Sequence, residues 1–291
     1  MFGSFHLDHC RERAKEVTMT DPAVKRPRGR PRAFNDKTDQ NTVQALDRAL
    51  SLLAHLAGGQ GRTLSELATD AELPVATVYR ALVTLQGHDM VEVEEPGQIW
   101  HIGGGAFRIG SAFLRRTKLV ERARQPMDAL MRTTGETANL GIEWKDEVMF
   151  LAQVETHEAI RAFFPPGTRG PMHVSGIGKA LLAWMPAERV AGIIARRGLE
   201  RFTSLSITSG SLLLRDLART RERGFSIDDQ ERAEGMRCIA APMFNAWGEP
   251  VAGLSVSGPA FRMALSDAAR IGAAVCTAAD QVTEATGGQR P

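Results

Sequence analysis

Apolar residues in the first third of the chain recur every three to four positions. In "TVQALDRALSLLAHLAGG", Val43, Leu46, Leu50 and Leu53 share one side of an amphipathic helix that Gly58-Gly59 stops. "RTLSELATDA" places Thr63 three residues before Glu66, a capping-box spacing, and sets Leu64, Leu67, Ala68 and Ala71 along one side of a second, short helix. "ELPVATVYRALVTL" predicts a third helix with Pro74 at its start. At 3.6 residues per turn, Val75, Val78, Tyr79, Leu82 and Leu85 fall toward a core, and Ala76, Thr77, Arg80 and Thr84 fall on the other side. The period then drops to two. "MVEVEEPGQIWHIG" pairs Val91 and Val93 with Trp100 and Ile102 around a turn at Pro96-Gly97, which is a hairpin with one apolar face. Three helices, a short "ELP" turn and a hairpin make a winged helix-turn-helix.

The second half alternates strand and helix patterns. "GGGAFRIGSAFLRRTK" leaves the hairpin through glycines as a linker, and "LVERARQPMDALMRTTGE" predicts a longer helix, kinked or begun anew at Pro126. "ANLGIEWKDEVMFLAQV" reads as a hairpin around Lys145-Asp146, "AIRAFF" as a strand, and "GKALLAWM" and residues 187–197 as helices. "CIAAPMFNAWGEPVAGLSVSG" is another hairpin turning near Trp247-Gly248, and Ser266 begins an alanine-rich terminal helix. That order predicts an α+β chain with a mixed sheet flanked by helices in its C-terminal domain. The expected division is an arm at 1–40, a DNA-binding unit at 41–103, a linker helix at 104–118, an effector domain at 119–285 and a tail at 286–291.

The polar face of the third helix carries chemistry. A solvated helix face usually holds Glu and Lys, whereas this one holds an alanine, two threonines and an arginine, short enough to lie close against a surface. In a winged helix-turn-helix the third helix enters the DNA major groove. Arg80 then reaches guanine or phosphate, Thr77 and Thr84 meet base edges or backbone, and the Tyr79 hydroxyl reaches a phosphate from the edge of the face. Glu92, Glu94 and Glu95 would be repelled by phosphate, so the first strand of the wing is expected to stand off the duplex.

Charge sharpens this picture. The formal net charge over 291 residues is only +2, but "KRPRGRPR" at 25–32 holds Lys25, Arg26, Arg28, Arg30 and Arg32 without an acid, which leaves the rest at −3. Gly29-Arg30-Pro31 flanked by basic residues is AT-hook-like, an extended segment that lays arginines, here Arg28, Arg30 and Arg32, along a narrow minor groove. Hydrophobic residues at 43% and charged residues at 24% are ordinary for a globular protein. The first residues mix acids and bases without an apolar signal region, and no run approaches the ~18 apolar residues of a membrane span. A cytoplasmic protein is expected, with Met19 a second candidate start. Cys10, Cys238 and Cys276 are too few and too scattered for a disulfide framework or a four-thiolate zinc site. His6, His9 and Cys10 lie in an unpatterned terminus, and neither metal nor cofactor is expected.

With the helix-turn-helix and hairpin in place, "HVSGIGKALLAWMP" and "GFSIDDQERAEGMRCIAAPMFNAWGEPVAGLSVSGP" complete a pattern that resembles the isocitrate-lyase-regulator (IclR) family of bacterial transcription factors, over roughly residues 41–285. The resemblance implies an N-terminal winged helix, a GAF-like effector domain, operator DNA as partner, and dimers pairing into tetramers. From the residues themselves, Ser175-Gly176-Ile177-Gly178-Lys179 precedes a helix, so free backbone N–H groups face whatever occupies the loop, which suits a carboxylate. A Walker phosphate loop is rejected, because His173 stands where its first glycine belongs and Ala180 where its Ser or Thr belongs. Ser255 and Ser257 are two apart on a strand and offer two hydroxyls to one side. The resemblance implies that Gly176, Ile177, Asp228, Met236, Cys238, Ser255 and Ser257 are the effector positions, with Asp228 accepting from a ligand hydroxyl and Ile177 standing where alanine is common. The matched set, small and polar, favours a small carboxylate such as glyoxylate or pyruvate over an aromatic acid. The rival functions are an enzyme using Cys238, Asp228 and the serines, with His173 the histidine nearest a matched loop, and a nonspecific architectural DNA binder. No Gly-x-Ser-x-Gly elbow supports the enzyme, and the architectural reading leaves the second half without a role.

Overall fold

The computed structural model describes residues 42–291 except Gln60 and Gly97, with the backbone alone at 113–117. The arm with Arg28, Arg30 and Arg32, and the terminal His6, His9 and Cys10, lie outside the described residues.

The N-terminal unit packs α1 (Gln44–Ala57), α2 (Leu64–Asp70) and α3 (Val75–Gln86) against the hairpin β2 (Val91–Glu94) and β3 (Ile99–Ile102). A two-residue strand, β1 (Arg62–Thr63), adds to β3 and gives the order β1-β3-β2. The hairpin register pairs Val91 with Ile102 and Val93 with Trp100, so its apolar side faces Leu52, Leu56, Leu67, Val78 and Leu82. The capping box is complete. The Glu66 amide donates to Thr63 Oγ1 at 3.3 Å, and the Thr63 amide to Glu66 Oε2 at 2.8 Å. That fixes the start of α2 and the approach of α3 behind it.

Two sequence expectations fail here. The stripe of α1 through Val43, Leu46 and Leu50 is not buried; Leu46 is 57% and Leu50 56% exposed, while Leu52 and Leu56 fill the core. At 100° per residue, Leu52 lies about 200° around the helix from Leu50, so α1 is apolar on two faces and the core takes the other one. On α3, Tyr79 is 53% and Val75 50% exposed, so neither is core. Tyr79 is about 100° around from the buried Val78, and Val75 sits in the first turn, beyond the packed stretch.

The C-terminal unit follows α4 (Gly104–Thr117) and α5 (Leu119–Thr134). Helix α5 runs unbroken through Pro126, which corrects the expected kink or restart, because Ala123, Met127, Leu130 and Met131 on either side pack into one core. Six strands follow: β4 (Thr137–Trp144), β5 (Glu147–Val154), β6 (Arg169–Pro171), β7 (Ser226–Asp229), β8 (Met236–Phe244) and β9 (Pro250–Pro259), in the order β6-β5-β4-β9-β8-β7. Every ladder is antiparallel, where a mixed sheet was expected. Tight turns make β4-β5 and β8-β9 antiparallel by construction, the first with left-handed φ at Lys145 and Asp146. The helices α6 (Gly176–Leu182), α7 (Ala187–Arg197) and α8 (Gly210–Arg223) all lie within the connection from β6 to β7, not between parallel neighbours.

Residues 159–164, expected as a strand, form none. Side chains hold this segment instead of a ladder: Gln153 Nε2 donates to the Ala162 carbonyl, the Phe164 amide donates to Gln153 Oε1, and Arg262 donates to the Ile160 carbonyl. One face of the sheet packs on α5 and the terminal helix α9 (Ala268–Ala285), and the other on α6, α7 and α8. This α+β unit, a sheet between two layers of helices, is GAF-like in outline, and the second face carries the cavity described next.

Candidate functional site

A cavity of about 420 Å³ opens between the sheet and the start of α6. Gly176, Ile177, Asp228, Met236, Cys238, Ser255 and Ser257 all line it. The registers explain their convergence. Cys238 pairs with Asp228 on one side and with Ser257 on the other, and Ser255 lies two residues back along β9, so all four side chains share one sheet face. Gly176 closes over them, since a Cβ there would stand 2.5 Å from Cys238 Sγ. Its carbonyl accepts from Ser226 Oγ at 2.6 Å. The Ser175 hydroxyl caps α6 by accepting from the Gly178 amide at 3.3 Å. Ile177 does not fill the cavity in the way its bulk implies. Its side chain lies over Gly141 and Gly253, where an added Cβ would come within 3.2 and 2.9 Å of it, so the sheet makes room for the branch.

The remaining wall is aromatic and basic, which the sequence did not reveal. Phe150 and Phe164 stack at 4.7 Å, and Phe202 lies under the Arg232 guanidinium at 4.0 Å. Thr168, Arg169 and Arg237 also belong to the lining and had not been anticipated. Phe150 is the one with a signal in the chain, because it alternates with Val148 on the inward side of β5; Phe202 and Arg232 are loop residues without periodicity. The set is therefore less purely small and polar than the matched positions alone indicate.

Behind the cavity lies a buried ionic cluster. Lys179, with no exposed surface, reaches Glu231 Oε1 at 2.5 Å, Asp216 Oδ2 at 3.0 Å and the Ile227 carbonyl at 2.5 Å. Burial alone would lower its pKa, but Glu231 and Asp216 outweigh it and hold the ammonium charged. Asp228, which accepts from the Glu231 amide at 2.8 Å, is pushed up to about 6 by burial, with Lys179 opposing the rise. Burial pushes the Cys238 thiol up to about 11, so it stays protonated and is a poor nucleophile. His173 does not serve it: the imidazole Nε2 lies 2.9 Å from the Glu200 carbonyl, and its ring lines a different, smaller cavity. Among the described residues no group of His, Cys, Asp and Glu has the arrangement of a metal site.

On the N-terminal unit, Thr77, Tyr79, Arg80 and Thr84 border one open groove between α1 and α3, together with Val43, Leu46 and Val83. The Arg80 side chain is exposed and has no carboxylate or hydrogen-bond partner among the described residues. The Thr84 hydroxyl donates back to the Arg80 carbonyl at 2.9 Å, which leaves its methyl and lone pairs outward. Among the described residues no helix is long and apolar enough to cross a membrane.

Comparison with known proteins agrees with this two-part construction. Residues 45–95 match the IclR helix-turn-helix domain, and residues 111–284 match the bacterial transcriptional regulator IclR C-terminal domain. The HTH-type transcriptional regulator BhcR of Paracoccus denitrificans is 48% identical over 258 residues, 89% of this chain and 92% of that protein. The transcriptional repressor IclR of Escherichia coli is 40% identical over 267 residues, covering 90% and 97%. The crystal structure of the Thermotoga maritima IclR superposes with a TM-score of 0.72 at 25% identity, over 84% of this chain and 99% of that one. A transcriptional regulator from Rhodococcus reaches 0.74 at 26% identity, over 84% and 98%. These relatives are regulators and not enzymes, which removes the alternative built on Cys238 and Asp228. The chain belongs to the IclR family of ligand-responsive, DNA-binding transcriptional regulators.

Proposed function

We propose that the cavity binds a small carboxylate such as glyoxylate or pyruvate, and that its occupancy changes how α3 holds an operator. The observation that carries this reading is the convergence of two serine hydroxyls, a glycine-led helix start and a carboxyl group of raised pKa on one enclosed surface. Titration of glyoxylate and pyruvate by calorimetry, repeated with operator DNA in a mobility-shift assay, tests it. Operator binding that neither acid changes, or the absence of heat with both acids, would remove these two ligands. Effector binding shifts the DNA equilibrium only through unequal affinity for two states of the protein.

Pyruvate brings a negative charge to Asp228 without a hydroxyl proton in exchange. The ligand should raise the Asp228 pKa further above its free value of about 6, so binding takes up a proton. Affinity is then full below that value and falls as pH rises above it, by up to about tenfold per unit until the bound-state pKa is passed. Calorimetry at pH 6, 7 and 8 reads this directly, and a flat profile would place the ligand carboxylate away from Asp228.

On α3, Arg80 is assigned a base contact, with Thr77, Tyr79 and Thr84 beside it. Arg80→Ala should weaken operator binding by ~1–3 kcal/mol and relax specificity at one position. An equal loss on random DNA would reduce Arg80 to a phosphate contact. The arm carrying Arg28, Arg30 and Arg32 is assigned to the neighbouring minor groove.

The exposed apolar face of α1 supports a homodimer, and pairing of dimers is the further step. Val43, Leu46 and Leu50, with Phe107 and Ile109 on α4, are large apolar residues that a monomer leaves in water. Leu46→Glu with Leu50→Glu should shift the sedimentation coefficient toward the monomer and weaken operator binding, while a cavity ligand still binds. An unchanged sedimentation profile would move the interface elsewhere.

A further inference from the structure

Asn139 stands beside the two serines on the same sheet face and is not part of the cavity lining. It sits on β4 directly opposite Ser255 in the ladder, one diagonal step from Ser257, and has no exposed surface. Its Nδ2 is 3.3 Å from Ser257 Oγ and 3.5 Å from Ser255 Oγ, while its Oδ1 has no partner among the described residues. The opposite orientation of the amide would strand two donors instead of one acceptor, and buried orphan N–H groups are the rarer of the two. A serine oxygen that accepts from this amide keeps its own proton. That proton is then left for the cavity side, where Ser255 and Ser257 line the wall beside Cys238, whose sulfur is at most a weak acceptor.

We propose that Asn139 is a positioning residue that holds Ser255 and Ser257 as acceptors on their sheet side, so that both hydroxyl protons point to the ligand and the cavity selects a carboxylate over its neutral amide. The inference rests on the carboxylate reading above. Without Asn139 the two hydroxyls are free to turn, donate to each other or to the strand, and present lone pairs to an anion. The effect is on selectivity, because a carboxamide presents both a donor and an acceptor and tolerates either orientation of a hydroxyl.

The test compares pyruvate and pyruvamide by calorimetry on the full-length chain, its Asn139→Leu variant, its Ser255→Ala/Ser257→Ala variant and the triple variant. The expected result is a preference for pyruvate in the parent that falls by roughly tenfold or more in Asn139→Leu, the scale of a lost hydrogen bond to a charged acceptor. In the serine-free background, Asn139→Leu should change neither affinity. An unchanged pyruvate-to-pyruvamide ratio in a folded Asn139→Leu protein, with the serine variant still weakened, would overturn this inference and leave the carboxylate reading intact. If the parent binds neither compound, the carboxylate reading fails and this inference fails with it. Nitrogen-15 spectra of the parent and of the Ser255→Ala/Ser257→Ala variant add a measurement that leaves Asn139 itself unsubstituted. The Asn139 side-chain amide should exchange slowly and shift when Ser255 and Ser257 become alanine, and an amide indifferent to that change also overturns the assignment.

Discussion

Lys179→Met is expected to destabilise the C-terminal unit by about 3–5 kcal/mol, the cost of stranding one side of a buried ion pair. Glu231 and Asp228, both already raised by burial and held down by Lys179, would then lose the cation that favours their charged forms. Chemical denaturation of the full chain at pH 7 reads the loss. Its pH dependence identifies the cause. Acids whose pKa is raised in the fold become tolerable once protonated, so the deficit relative to the parent should shrink as the pH falls toward 5. Combining Lys179→Met with Glu231→Gln and Asp216→Asn removes the stranded charges and should recover most of the stability. A loss below about 1 kcal/mol, the range of an exposed pair, would mean that the cluster is relieved by water.

The second large effect concerns the ligand. Ser255→Ala with Ser257→Ala removes two donors, each worth about 1.5–3 kcal/mol to a charged acceptor. Affinity for pyruvate or glyoxylate should therefore fall by at least roughly tenfold and by more if both hydroxyls bind together. Operator binding in the absence of ligand should persist, because Arg80 belongs to the separate N-terminal unit. The double variant should also need more ligand to produce the same change in a mobility-shift assay. Unchanged ligand affinity would assign the serines to the fold.

What the sequence discloses follows the reach of each signal. The capping box at Thr63 and Glu66, the Val91-Val93 and Trp100-Ile102 hairpin and the tight turn at Lys145-Asp146 are local, so the residues that make them also announce them. Five of the seven matched cavity positions came together because β7, β8 and β9 pair in simple antiparallel register, and Gly176 and Ile177 join them at the start of α6. The two apolar faces of α1 were not separable, since period alone does not say which face the core will take. Helix α8 and strands β6 and β7 passed unnoticed: α8 is dense in arginine, and the strands have only three and four residues. Lys179, read as part of a loop, proves to be the cation of a buried cluster whose acids stand 37 and 52 positions away in the chain. Asn139 was hidden for the same reason, as its partners are 116 and 118 residues distant.

The sheet of the C-terminal unit divides its strands by parity. On β4 and β9 the odd positions, Asn139, Gly141, Gly253, Ser255 and Ser257, share the sheet face that carries α6 and the cavity, with Ser255 and Ser257 in its lining, while Ala138, Leu140, Ala252, Leu254 and Val256 turn to α5 and α9. A duplicated copy of this chain therefore has two nearly independent sets of letters in the same segments. If the cavity binds the proposed ligand, changes at odd positions would alter what is sensed, and the even positions would continue to seat α5, which follows directly on the helix leaving the wing. Novel sensors can arise by single substitutions without rebuilding the scaffold that reports to DNA. The separation also sets a limit, because an insertion of one residue in β9 would exchange the two sets and lose both at once.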